Sequence, residues 1–89
     1  MTRAWEADPS ATLKRRLGRS AAELECSGGD SGCPDIWELD NGDIAIVGRD
    51  LTAAYASRLP ASMTMAHDEK LVVIPRIMLM AAKGDIPDS

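Results

Sequence analysis

Apolar and polar residues alternate most clearly between Asp35 and Val47. There the runs Ile36-Trp37-Glu38-Leu39 and Ile44-Ala45-Ile46-Val47 flank Asp40-Asn41-Gly42-Asp43. Asn-Gly between two such runs is the strongest short signal for a β-hairpin. Both central residues of a type I′ turn take positive φ, which Asn and Gly tolerate. A two-residue turn sets Leu39 opposite Ile44 and Trp37 opposite Ile46 on one side of the ribbon. Glu38, Ala45, Ile36 and Val47 fall on the other. One side is then wholly apolar and needs a cover.

Around this hairpin the pattern predicts helices and one more strand. Asp8-Pro9 is a capping residue followed by a first-turn proline. Leu13, Leu17, Ala21 and Leu24 then recur at helical spacing, which predicts a helix over 10–25, weakened by Gly18. The stretch Cys26 to Pro34 is a Gly- and Ser-rich loop. Asp50 is a good N-cap, and Leu51, Tyr55 and Leu59 form the stripe of a short helix over 51–59, ended by Pro60. Leu71-Val72-Val73-Ile74 reads as a strand apolar on both faces, hence central or covered on both sides. Pro75 opens a last helix over 76–83, with Lys83 and Gly84 suited to its end. The expected class is α+β: a small, three-stranded, largely antiparallel sheet made of the hairpin 35–47 and strand 71–74, with helices at the N-terminus, at 51–59 and at 76–83. Residues 1–25 then form a helical arm, 26–34 a loop, 35–84 a compact core and 85–89 a loose tail.

At 89 residues the chain is near the small end of what folds alone, and with 3% aromatics and no Phe its core rests on aliphatic residues and Met. Marginal stability or help from a partner is expected. The net charge of −4 is uneven. Lys14, Arg15, Arg16 and Arg19 cluster early, most simply as a solvated helix face. From Ser20 to Gly48 there is no Lys or Arg, only Asp and Glu. Such a surface repels phosphate backbones, so direct binding of nucleic acid is disfavoured. No secretory signal is visible at the start, and the longest apolar run is far too short to span a bilayer. A cytoplasmic protein with no membrane contact is the simplest expectation.

Candidate chemistry is sparse. Cys26 and Cys33, with six residues between them, are two ordinary thiols, a disulfide or redox pair, or half of a zinc site whose other ligands are lacking. Asp40 and Asp43 face each other beside the turn, either as solvated tip residues or as oxygen ligands for a hard cation. His67 lies beside Asp68 and Glu69 with no nucleophile near it in sequence, and reads as a surface histidine. The glycines of the loop follow no strand and precede no Gly-Lys-Ser, so they cradle no phosphate. No catalytic residue, metal or cofactor is expected. The segment Ile77-Met78-Leu79-Met80-Ala81-Ala82 is apolar all round, where a surface helix has a polar face. Its excess apolar surface implies either an interface, most simply a two-fold homodimer, or complete burial within the monomer.

The order of elements resembles that of the BldB-like small regulatory proteins of actinobacteria, or a neighbouring actinobacterial family. The residues that carry the likeness are Cys33, the acidic strand Asp35 to Leu39, Asn41-Gly42, Ile44 to Val47, Arg49-Asp50, Leu71 to Ile74 and Pro75 to Ala82. Pro34 after the cysteine, the helix-like insert Leu51 to Leu59 and the absence of a tryptophan in the last helix depart from that pattern. The resemblance implies regulation through protein contacts, often with helix-turn-helix transcription factors. Together these readings lead to a small non-enzymatic regulatory protein that dimerises and binds a partner, the expected interface residues being Ile77, Met78, Leu79 and Met80, with Trp37 as an anchor. Glu38, Asp40 and Asp43 would face a basic partner such as a DNA-binding regulator. The alternative is an accessory peptide- or metabolite-binding protein, or a small enzyme, of a biosynthetic pathway.

Overall fold

The computed structural model describes residues 4–29 and 32–87. The chain runs β1 (Leu13–Arg16), β2 (Asp35–Leu39), β3 (Ile44–Val47), β4 (Arg49–Asp50), α1 (Thr52–Tyr55, continued by a 3-10 turn Ala56–Arg58), β5 (Val72–Val73) and α2 (Arg76–Ala82, continued by a 3-10 turn Lys83–Asp85). It is a small α+β fold. β1, β2 and β3 form an antiparallel sheet in that order, and β4 pairs with β5 in a separate two-stranded ribbon.

Three expectations are corrected. The first is the N-terminal helix. Residues 13–16 are a strand paired with β2, and 21–25 form a turn. The i, i+4 spacing of Leu13, Leu17, Ala21 and Leu24 arises from a strand followed by a turn. Leu17 and Ala21 are buried, but Leu13 lies in solvent. Residues 13–17 are therefore part of the core sheet and not of a separate arm. Gly18 breaks the pattern at φ +81°, and a Cβ there would sit 2.8 Å from the backbone nitrogen of Ala82. Only glycine lets the chain leave β1 this close to α2.

The second is the place of the strand at 71–74. It is reduced to Val72–Val73 and pairs with Arg49–Asp50, not with the hairpin. At Gly48 the chain passes from one sheet to the other. A Cβ on Gly48 would lie 2.7 Å from the carbonyl oxygen of Val73, so a bare backbone permits that close crossing. Both valines are 40% exposed, and the strand is not covered on both sides.

The third is the hairpin register. Observed pairs are Asp35 with Val47, Ile36 with Ile46, Trp37 with Ala45 and Glu38 with Ile44. Leu39 N–H donates to Asp43 O (2.8 Å) and Gly42 N–H to Leu39 O (3.0 Å), so the loop has three residues. Gly42 alone takes positive φ, at +91°, and Asn41 does not. This is a type I turn followed by a left-handed glycine. Asn41 instead caps the turn, its Oδ1 accepting from Asp43 N–H at 2.9 Å. One residue of slip in the pairing redistributes the faces. Ile36, Glu38, Ile44 and Ile46 now share one face, with Trp37, Leu39, Ala45 and Val47 opposite.

α2 lies against β2, and the core is Leu17, Ile36, Met78 and Ala82, flanked by Leu24, Cys26 and Ile74. The end of α2 is tied to β1. Gly18 N–H donates to an Asp85 carboxylate oxygen (2.8 Å), and Arg15 Nη2 donates to the Asp85 carbonyl (2.8 Å). Among the described residues no helix is long and apolar enough to cross a membrane.

Gly18→Ala forces a side chain into left-handed backbone, at about 1–2 kcal/mol, and also into α2. We expect a loss of more than about 2 kcal/mol in urea unfolding. Gly84→Ala, where a Cβ meets nothing within 4 Å, is the control and should stay within about 0.5 kcal/mol of the parent or stabilise it.

Candidate functional site

The acidic hairpin is already partnered. Opposite it stands the basic run of β1. Arg15 pairs with Glu38 across the strands, Nε to Oε1 at 2.8 Å. Arg16 forms a two-pronged pair with Asp35, at 2.9 and 3.0 Å, and its guanidinium carbon lies 4.9 Å from the centre of the Trp37 ring. The loop acids hold the segment before β1. Asp40 accepts from both N–H (3.1 Å) and Oγ1 (2.9 Å) of Thr12, and Asp43 accepts from the Trp5 indole N–H (3.3 Å). Glu38, Asp40 and Asp43 thus serve as internal ties; Glu38 is matched by a cation, whereas Asp40 and Asp43 are held by neutral donors and keep their charge. Asp40 and Asp43 no longer face each other across the ribbon. Among the described residues no group of three or more His, Cys, Asp or Glu is placed to hold a metal ion.

Trp37 also changes role. It lies on the sheet face away from Ile36 and α2, under Arg16. It is neither a core anchor nor a neighbour of the α2 side chains. Basic residues read as a solvated helix face turn out to be the partners of the acids. The signal was present, since a Lys-Arg-Arg run on a strand complements Asp35, Glu38 and Asp40. It was masked by the competing helical spacing.

Asp35 feels its partner directly. The Arg16 guanidinium holds its carboxyl below the usual range, against the opposing effect of partial burial, with help from Trp37. A depressed native value means that the pair stabilises the fold fully above the ordinary value of 3.8. That contribution is lost as pH falls below it towards the native value.

α2 divides into two parts. Met78 is buried (1% exposed) and belongs to the core, so it is removed from the expected interface set. Ile77, Leu79 and Met80 are 47%, 54% and 58% exposed. At 100° per residue, Ile77 and Leu79 lie on opposite flanks of the buried stripe, with Met80 at the back. Beside this helix, on the same sheet face as Ile36, Ile44 and Ile46 of β3 are about half exposed. The exposed isoleucines of the edge strand thus share the sheet face on which α2 lies, which only the observed register reveals.

The two thiols lie elsewhere. Cys26 and Cys33 are both free and line an apolar cleft of about 600 Å³ between the loop and the β4–β5 ribbon, with Pro34, Val47, Leu51 and Ile74. Among the described residues Arg49 is the one charged residue on its wall. The Cys33 thiol donates to Gly29 O (3.3 Å) and lies 3.0 Å from Ser27 Oγ. Among these contacts the Cys33 sulfur meets a hydroxyl and a backbone carbonyl, and no histidine or cation.

Fold and surface define a small α+β protein whose first three strands are tied by ion pairs and hydrogen bonds and whose apolar surface is open. Comparison with protein-family models, curated proteins and solved structures returns no match.

Asp35→Asn should cost roughly 1 kcal/mol at neutral pH and flatten the acid limb of the stability profile. Chemical unfolding at intervals from pH 7 to 2 reads both. A parent and variant with parallel acid limbs would show that the Arg16–Asp35 pair carries no linkage.

Proposed function

We propose that this chain is a non-enzymatic binding protein that works as a homodimer and, as a dimer, contacts a regulatory partner in the cytoplasm. One observation carries the reading. Among the described residues five hydrophobic residues are buried, two of them alanines, while twelve large hydrophobic side chains are 40% or more exposed. Apolar surface on that scale, concentrated here on α2 and β3, marks interaction sites in small soluble domains. A core this small also leaves stability to be gained from association.

The regulatory partner follows from the likeness to BldB-like proteins, which directs the second contact to a helix-turn-helix regulator. That contact would rest on apolar complementarity, with the charge that Asp40 and Asp43 keep steering encounter more than adding affinity.

Sedimentation at tens of micromolar should give twice the 9.5 kDa chain mass. Glu substitutions at Ile77 and at Leu79 probe the two flanks of α2, and at least one should return the chain to monomer. A parent that sediments as a monomer contradicts the reading, and a dimer indifferent to both substitutions clears α2 of the contact.

A further inference from the structure

We propose that two copies of this chain join edge to edge through β3, antiparallel about a two-fold axis at Ala45, so that two three-stranded sheets become one of six strands. This names the mode of the self-association proposed above and rests on it.

The direction of the backbone groups comes from two hydrogen bonds. Leu39 N–H donates to Asp43 O across the hairpin (2.8 Å), and Leu17 N–H donates to Ile36 O on the other side of β2 (2.9 Å). In an antiparallel ladder, bonded and non-bonded pairs alternate. Asp43, Ala45 and Val47 therefore turn their backbone groups to β2. Ile44 and Ile46 turn theirs outward. Among the described residues no backbone hydrogen bond from another element reaches Ile44 or Ile46.

The two edges of the sheet are not equivalent. β1 carries Lys14, Arg15 and Arg16, and its pairing with β2 is interrupted by a bulge-like shift between Leu13 and Arg15. Charge and irregularity are the usual protections of an edge against further pairing. β3 is Ile-Ala-Ile-Val, with no charge, proline or bulge. An open edge of that kind is a template for another strand. The protected β1 edges then stop growth at two copies.

β3 is also complementary to itself. Outward-facing residues must pair with outward-facing residues, which allows an axis at Ile44, Ala45 or Ile46. Only the axis at Ala45 uses both outward residues of each copy within β3. Ile44 then faces Ile46 of the second copy, and each such pair exchanges both of its bonds. Ala45 meets its own mate at a non-bonded position, where Cα atoms approach to about 4.5 Å and a small side chain fits. No like charges come together.

Area decides that the edge does not act alone. A stable interface takes about 800 Å² from each partner, more than a four-residue strand supplies. Ile44 and Ile46 project on the face that carries α2, as the Ile36–Ile46 pair shows. Pairing therefore sets the isoleucines of both copies side by side between two α2 helices, whose exposed flanks supply the rest of the contact.

Amide hydrogen exchange on the full chain, across a dilution series, tests this. Ile44 and Ile46 should exchange on the order of tenfold or more slowly in the dimer than after dilution, while Ala45 and Val47, bonded to β2, change little. Ile44→Pro removes an outward N–H at an edge position where proline is tolerated, and should give a folded monomer. A dimer in which Ile44 and Ile46 exchange as fast as in the monomer overturns the edge pairing while leaving self-association intact. A dimer that survives in folded Ile44→Pro overturns it too. A parent chain that stays monomeric at tens of micromolar overturns both. Should Ile44→Pro fail to fold, exchange in the unmodified chain decides.

Discussion

The pairing of a basic strand with an acidic one organises this molecule. β1 lies along β2 so that Arg15 meets Glu38 and Arg16 meets Asp35. Each pair is half open to water, and neither alone is worth much. Their importance is positional. They seat Leu17 beside Ile36, where Met78 and Ala82 close over both, and they bring Gly18 to the end of α2, where Asp85 takes its N–H. The apolar core is small, and Leu17, the residue that follows β1, is one of its two largest fully buried side chains.

That same pairing determines what the protein presents. With β1 on one side of β2, the hairpin has a single free edge, and it is β3. Glu38 is matched by Arg15, while Asp40 and Asp43 are fixed by the neutral donors of Thr12 and Trp5 and keep their charge. Beside those acids the chain presents apolar surface: Ile44 and Ile46 on the strand, and Ile77, Leu79 and Met80 on the helix. The contacts proposed for this protein of net charge −4 thus lie on its hydrocarbon surface, which its paired charges help to shape.

Elements with local signals were legible in the sequence. Asp40-Asn41-Gly42-Asp43 marked a turn, Pro75 and Pro60 punctuated two short helices, and the all-apolar run after Arg76 announced surface that one chain does not hide. Elements set by distant contacts were not. Leu13, Leu17, Ala21 and Leu24 satisfy a helical period, yet β2 offers residues 13–17 a ladder and two carboxylates that no isolated helix has. The hairpin was visible but its register was not, because Asn-Gly serves a three-residue loop as well as a two-residue one. That single step moved Trp37 off the core face and put Ile44 and Ile46 beside α2. Of the expected interface residues, Ile77, Leu79 and Met80 are open, Met78 is core, and Glu38, Asp40 and Asp43 are internal ties, a distinction that depends on burial and pairing that one sequence does not display.

The docking of β1 on β2 is open to direct measurement by nuclear Overhauser spectroscopy. Arg16 and Trp37 face each other at a non-bonded position, where α-carbons are about 4.5 Å apart. The account predicts a strong cross-peak between their α-protons. A ladder of α-proton to amide contacts three residues apart through 13–24, with no peak between Arg16 and Trp37, would instead establish a helix there and contradict the account.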